Sequence, residues 1–177
     1  MTEPDLRYPI GKFQRPASLT PEERAAAAAI IAETPAMLRQ AVAGLDDEQL
    51  DTRYRPGGWS VRQVVHHLPD SHVNAYVRVK LALTEDAPTI RTYEEARWAE
   101  LPEATAAPVE ASLAFLDGLH QRWALALRAL TPDAWQRPLV HPESGRQTIE
   151  QLTALYAWHG RHHVAHITAL RQRHGWI

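Results

Sequence analysis

The sequence predicts an all-α protein, a four-helix bundle with long crossover connections. Three observations lead there. Apolar residues recur at helical spacing in four long stretches, Ser/Thr-x-x-Glu/Gln capping boxes open three of them, and no run alternates convincingly enough to read as a strand. Amphipathic helices bury their apolar stripes most fully against one another, and two long connections between them supply the crossovers.

Residues 1–19 carry Pro4, Pro9, Gly11 and Pro16 with few apolar side chains. They predict an N-terminal arm packed on the domain through Tyr8, Ile10 and Phe13, with residues 20–177 forming a single bundle domain. Thr20-Pro21-Glu22-Glu23 places an N-cap, a first-turn proline and a capping glutamate in register, so the first helix starts there and runs to about Gly44. Pro35 falls inside it, where the missing N–H and the clash with the carbonyl four residues back predict a kink or interruption.

A short turn over Asp46–Leu50 and a Pro-Gly-Gly loop then lead to Trp59. Ser60-Val61-Arg62-Gln63 caps a second long helix reaching about Leu83, with Pro69 inside it. Residues 84–108 hold three prolines around a short helical candidate, Tyr93–Glu100, and read as a crossover. A third long helix spans about Val109–Leu130, with Leu113, Leu116, Leu119, His120, Trp123 and Leu127 on its inner face. Thr131-Pro132-Asp133 restarts the chain, and residues 138–147 predict a loop. Thr148-Ile149-Glu150-Gln151 opens the last helix, which ends near His174-Gly175.

The chain has no cysteine, so thiol nucleophiles and Cys-based metal sites are excluded, and any metal must sit on His, Asp or Glu. Net charge is -2, with 19 basic against 21 acidic residues, which provides no field for a polyanion and argues against nucleic acid. The N-terminus has no apolar targeting segment and no stretch is long enough to cross a bilayer, which predicts a cytoplasmic protein with no membrane partner.

The last helix holds four of the ten histidines within Trp158-His159-Gly160-Arg161-His162-His163-Val164-Ala165-His166-Ile167. At ~100° per residue, Leu152, Leu155, Tyr156, Ile167 and Leu170 define one buried face. His159 and His163 lie within about 30° of its centre, His166 about 45° away and His162 nearly 90° away, at the edge. A lone inward histidine is ordinarily a hydrogen-bonded core residue. Two inward histidines four apart aim their imidazoles at one point, which is how a helix offers two metal ligands. On the second long helix, His67, Ser71, Asn74 and Arg78 form a polar stripe that lines either a cavity inside the bundle or a solvated outer face. The apolar stripe there centres on Val61, Leu68, His72 and Val79, so spacing alone leaves His72 as the rival of His67.

Arg7-Tyr8-Pro9-Ile10-Gly11, the run from Gly57-Gly58-Trp59 through His66-His67-Leu68 and Asp70-Ser71-His72, Arg91-Thr92-Tyr93, and the histidine run of the last helix together resemble the DinB/YfiT-like family, and within it the YfiT-type metal-dependent hydrolases. The resemblance covers nearly the whole chain. It implies a four-helix bundle and one divalent metal, zinc before nickel or manganese, held by His67, His159 and His163. It also implies a homodimer. Pro69 departs from the family pattern, which has an ordinary helix former at that position.

Three neutral histidines leave an open position for water or substrate, the arrangement of catalytic zinc sites. The resemblance therefore implies hydrolysis of a small molecule first. The alternative it implies is S-transfer from a low-molecular-weight thiol of the bacillithiol type, and the non-enzymatic alternative is a metal-binding or interaction bundle. Asp70, His72 and His166 are candidates to hydrogen-bond the ligating rings, with Ser71 and Asn74 as pocket residues. Peptidase and serine-hydrolase chemistry find no support, because neither His-Glu-x-x-His nor Gly-x-Ser-x-Gly occurs.

Overall fold

A computed structural model describes residues 5–176; the first four residues of the arm and Ile177 lie outside them. Four long helices carry the structure: α1 (Pro21–Val42), α3 (Val61–Thr84), α6 (Glu110–Arg128) and α8 (Ile149–His174). Between them lie the short helices α2 (Asp47–Leu50), α4 (Glu95–Trp98), α5 (Pro102–Ala106) and α7 (Pro132–Trp135). The capping boxes at Thr20, Ser60 and Thr148 all form, each with the side chain of the third helical residue returning to the cap backbone. Gly175 closes α8 in the left-handed conformation.

Both internal prolines lie within continuous helices, so Pro35 does not interrupt α1 and Pro69 does not interrupt α3. Packing on neighbouring helices outweighs the lost ladder bonds, about 3 kcal/mol per proline in an isolated helix.

One element departs from the reading above. Residues 138–148 form not a loop but an antiparallel hairpin of β1 (Pro138–His141) and β2 (Gly145–Thr148), with Leu139 opposite Gln147. Leu139 is fully buried and Gln147 nearly so, while four-residue strands carry too little alternation to register as a pattern. Val140 exchanges backbone hydrogen bonds with the crossover at Pro88 and Ile90, and Arg137 donates to Ala82 O and Glu85 O. The hairpin thus clamps the crossover to the bundle. The crossover holds two short helices, α4 and α5, where one was predicted.

Each of α1 and α3 packs on both α6 and α8, so α1 and α3 stand on opposite corners and the order round the bundle is α1, α6, α3, α8. The apolar core is split. One cluster, around Ile31, Val79, Trp123, Leu127, Ile149, Leu152 and Tyr156, occupies one end; a second, around Leu38, Val64, Leu68, Leu116, Val164, Ile167 and Leu170, occupies the other. His72 on α3, His120 on α6, and His159, His162 and His163 on α8 lie between the residues of the two clusters, with His67 next to Leu68, and form a polar layer between the two apolar cores. No helix among the described residues is long and apolar enough to cross a membrane.

The segment before α1 runs along α8. Trp158 Nε1 donates to Gly11 O at 3.3 Å, Gln151 Nε2 to Pro16 O at 3.0 Å, and Phe13 and Tyr8 approach Trp158 and His162. Ile10 is 43% exposed, so it does not hold the segment down. This cover explains why His162, expected at the edge of the helix face, is buried: it lies between Trp158, stacked at 4.3 Å, and Tyr8.

The approach of α1 to α8 depends on Gly160. A Cβ there would lie 2.7 Å from Thr34 Cγ2 and 2.8 Å from Thr34 Oγ1. Thr34 is wholly buried and its hydroxyl donates to Ile30 O, so it has nowhere to turn. Gly160→Ala therefore lowers stability by about 1–2 kcal/mol, because overpacking of about 1–3 kcal/mol exceeds the helix-propensity gain of up to about 1 kcal/mol. Urea melts of Gly160→Ala and of Gly160→Ala with Thr34→Ala check this: the double variant recovers most of the loss, and a single variant as stable as the parent contradicts the contact.

Candidate metal centre

One nitrogen each of His67, His159 and His163 lies within 4.8 Å of the other two. His67 comes from the second turn of α3, and the other two stand one turn apart on α8. His67 and His163 are buried and His159 is partly accessible. His67 Nε2 and His159 Nε2 face each other at 3.4 Å. Two nitrogens bound to one tetrahedral ion at ~2.05 Å would stand roughly 3.4 Å apart, so this pair fits a shared divalent metal. The Nδ1 atom of His163 is buried without a partner, as are those of His162 and His166 beside the cluster. Trp59 walls the cluster, its ring 4.7 Å from His67 and stacked near His163.

The rings are neutral. Burial pushes His67 down to about 4 and His159 and His163 well below the ordinary histidine value, and the neighbouring histidines push the latter two further. A metal needs those unprotonated lone pairs.

His72, the rival by spacing, stands outside the cluster but in contact with it. Its Nε2 is 3.1 Å from His159 Nδ1, and its Nδ1 is 2.8 Å from His120 Nε2. His166 makes no hydrogen bond to the three rings; it stacks on Tyr54 at 4.0 Å and its Nε2 donates to Arg7 O. Nor does Asp70 bond to them. It is half-buried rather than exposed, and burial together with nearby Glu103 pushes its carboxyl up to about 6.

The polar stripe of α3 faces inward, since His67, Ser71 and Arg78 are buried and Asn74 partly so, which rules out a solvated outer face. Ser71 Oγ donates to Tyr156 Oη at 3.4 Å, and Tyr156 lies 5.4 Å ring to ring from His159. From there Asn74 opens onto a cleft of about 630 Å³, with Arg91, Thr92, Tyr93, Glu94 and Trp98 on its walls. The Tyr93 hydroxyl is buried without a partner, and burial raises its pKa. Sequence patterning places His120 only on an inner helix face and Trp59 only at the end of a loop. Neither carries a local signal of its contact with this layer.

These features define a candidate metal site of three histidines in a four-helix bundle. The DinB superfamily matches residues 30–167, and the chain belongs to it. A Geobacillus thermodenitrificans protein is 52% identical over 173 residues, covering 97% of both chains. The YfiT protein of Bacillus subtilis is 48% identical over 177 residues, covering 99% of both. Their names propose a metal-dependent hydrolase without assigning a reaction. The solved structure of Bacillus subtilis YfiT, described as an unusual four-helix bundle, matches with a TM-score of 0.95 at 48% identity over 97% of this chain and 99% of that one.

The buried imidazoles set the acid sensitivity of the metal-free protein. His67, His120, His162 and His166 are each held at about 4, against 6.5 when unfolded. Between those values the unfolded chain binds more protons, so stability falls as pH drops from 6.5 towards 4, by up to about 1.4 kcal/mol per pH unit per group. Asp70, raised from 3.8 to about 6, acts in the opposite sense over much of that range but is one group against several. Urea midpoints of metal-free protein decline steadily from pH 7 to pH 5; a flat profile contradicts the dry histidine layer.

Proposed function

We propose that this protein is a metal-dependent hydrolase of a small molecule, with His67, His159 and His163 holding one divalent ion, zinc before nickel or manganese. The observation that carries the reading is the convergence of three neutral imidazole nitrogens, with no carboxylate among them, from two helices of the bundle. From such a donor set the ion keeps its full charge, and when bound it supplies Lewis-acid polarisation of a carbonyl and acidification of water.

The chain's own residues bind and orient the substrate. The cleft at Asn74, Tyr93 and Trp98 admits it, the unpartnered Tyr93 hydroxyl and the Asn74 amide offer it hydrogen bonds, and Ser71 with Tyr156 continue the polar path to His159. Trp59 packs its ring against His67 and His163 and covers that flank of the cluster. Asp70, with its pKa raised to about 6, is a group fitted to exchange a proton with a bound substrate.

Metal-assisted transfer from a low-molecular-weight thiol is the second reading. It is favoured by one observation: Asp70 makes no hydrogen bond to the three rings and no carboxylate belongs to the cluster, so no carboxylate base stands at the cluster itself. A thiol that reacts as its thiolate needs none.

Elemental analysis of untagged protein purified without a metal column tests the reading. About one metal per chain is expected, lost in His67→Ala, His159→Ala and His163→Ala and retained in the exposed control His174→Ala. Turnover of ester and amide panels by the loaded protein supports hydrolysis. Turnover only when a thiol and an electrophile are supplied together selects transfer. A protein that takes up no zinc, nickel or manganese is a non-catalytic bundle.

A further inference from the structure

His72 and His120 have no place in the proposed reaction, yet they join the centre to every long helix of the bundle. The connection begins at a proline. In α1 the carbonyl of Ile31 would accept from the N–H of residue 35, but that residue is Pro35 and has none, so the carbonyl is left without its helical partner. His120 Nδ1, from α6, is hydrogen-bonded to it. His120 Nε2 is 2.8 Å from His72 Nδ1 on α3, and His72 Nε2 is 3.1 Å from His159 Nδ1 on α8. The path visits α1, α6, α3 and α8 in their order round the bundle.

We infer that the Ile31 carbonyl, freed by Pro35, fixes the tautomer of His159 through His120 and His72, so that His159 presents a bare Nε2 to the metal; the metal role itself rests on the proposal above. A carbonyl oxygen only accepts, so His120 Nδ1 carries hydrogen. In a neutral ring its Nε2 is then bare and must accept, which puts hydrogen on His72 Nδ1. His72 Nε2 is bare in turn, which puts hydrogen on His159 Nδ1. The remaining nitrogen, His159 Nε2, is the one that faces His67 at 3.4 Å. A ligating histidine ordinarily donates its other ring N–H to a partner that orients it. Here that partner is itself oriented by a second imidazole and then by the main chain.

The direction of the chain has a consequence for its role. A carbonyl cannot take up a proton at its end, so the path cannot carry protons out of the centre. It is a clamp, and His72 and His120 are positioning residues. Without them His159 is free to populate the Nε2–H form, which cannot bind metal through that atom.

Long-range proton–nitrogen NMR of metal-free protein at pH 7.5 reads the tautomer of each ring directly. Nδ1–H is expected for His120, His72 and His159, and an Nε2–H signal for His159 overturns the inference. His120→Phe removes the acceptor of His72 Nδ1–H. His159 is then expected to lose its single-tautomer signature, and zinc affinity, read by chelator competition, to fall about 10- to 100-fold while far-ultraviolet circular dichroism is unchanged. A folded His120→Phe that keeps both the pure Nδ1–H signal and parental zinc affinity overturns the clamp. If that variant does not fold, the parental spectrum still decides. A parent with the Nδ1–H signature that binds no zinc refutes the metal reading and leaves the clamp supported.

Discussion

An imidazole removed from water must place its ring hydrogen on an acceptor and leave its bare nitrogen somewhere useful, and this protein buries seven of them. The cost of leaving such groups unmatched is about 1–3 kcal/mol each, comparable to a large part of the stability of a domain. Most are matched. His66 lies between Ser112 Oγ and Ala107 O, His166 reaches Arg7 O, and His72, His120 and His159 satisfy one another in sequence. The face-to-face nitrogens of His67 and His159 lie where the proposed metal belongs, and the Nδ1 atoms of His162, His163 and His166 are left without partners.

The bundle is arranged to make that layer dry. Two apolar clusters seal it at either end, the segment before α1 covers His162 and His166 from the side, and Trp59 closes the flank of His67. Dryness holds the rings neutral, which is the state in which they bind a cation, and it strengthens every dipole aimed into the site. The same burial raises the pKa of Asp70, to about 6, and that of Tyr93, beside the approach to the centre. Gly160, one residue after His159, keeps the backbone of α8 against Thr34, so a helix-weakening residue there contributes to the position of the ring.

The chain belongs to the DinB superfamily, and the shared fold leaves wide scope for chemistry because the fold alone does not decide what the groups around the three histidines do. Around them here are a polar stripe on α3, two tyrosine hydroxyls and a cleft formed by the crossover that the small hairpin holds in place. That hairpin has no local signature strong enough to be read in advance. Its strands are four residues long, and its pairing depends on the buried Leu139 and on the crossover segment at Pro88 and Ile90 rather than on alternation.

The sequence by itself determined the elements whose causes are local. Capping boxes act within one turn, so Thr20, Ser60 and Thr148 mark three helix starts to the residue. The period of α8 aims His159 and His163 inward because both lie on one helix. What tertiary structure alone decided is everything that joins residues distant along the chain. His67 meets His159 across 92 positions, and the choice between His67 and His72 turns on the rotation of α3 against α8, which apolar spacing on α3 by itself resolves the other way. His162 is buried by a segment from the other end of the chain, and the carbonyl freed at Ile31 acquires meaning only when His120 arrives on another helix. Helix periodicity specifies which side a residue faces, but the partner it meets there is set by the packing of all four helices together.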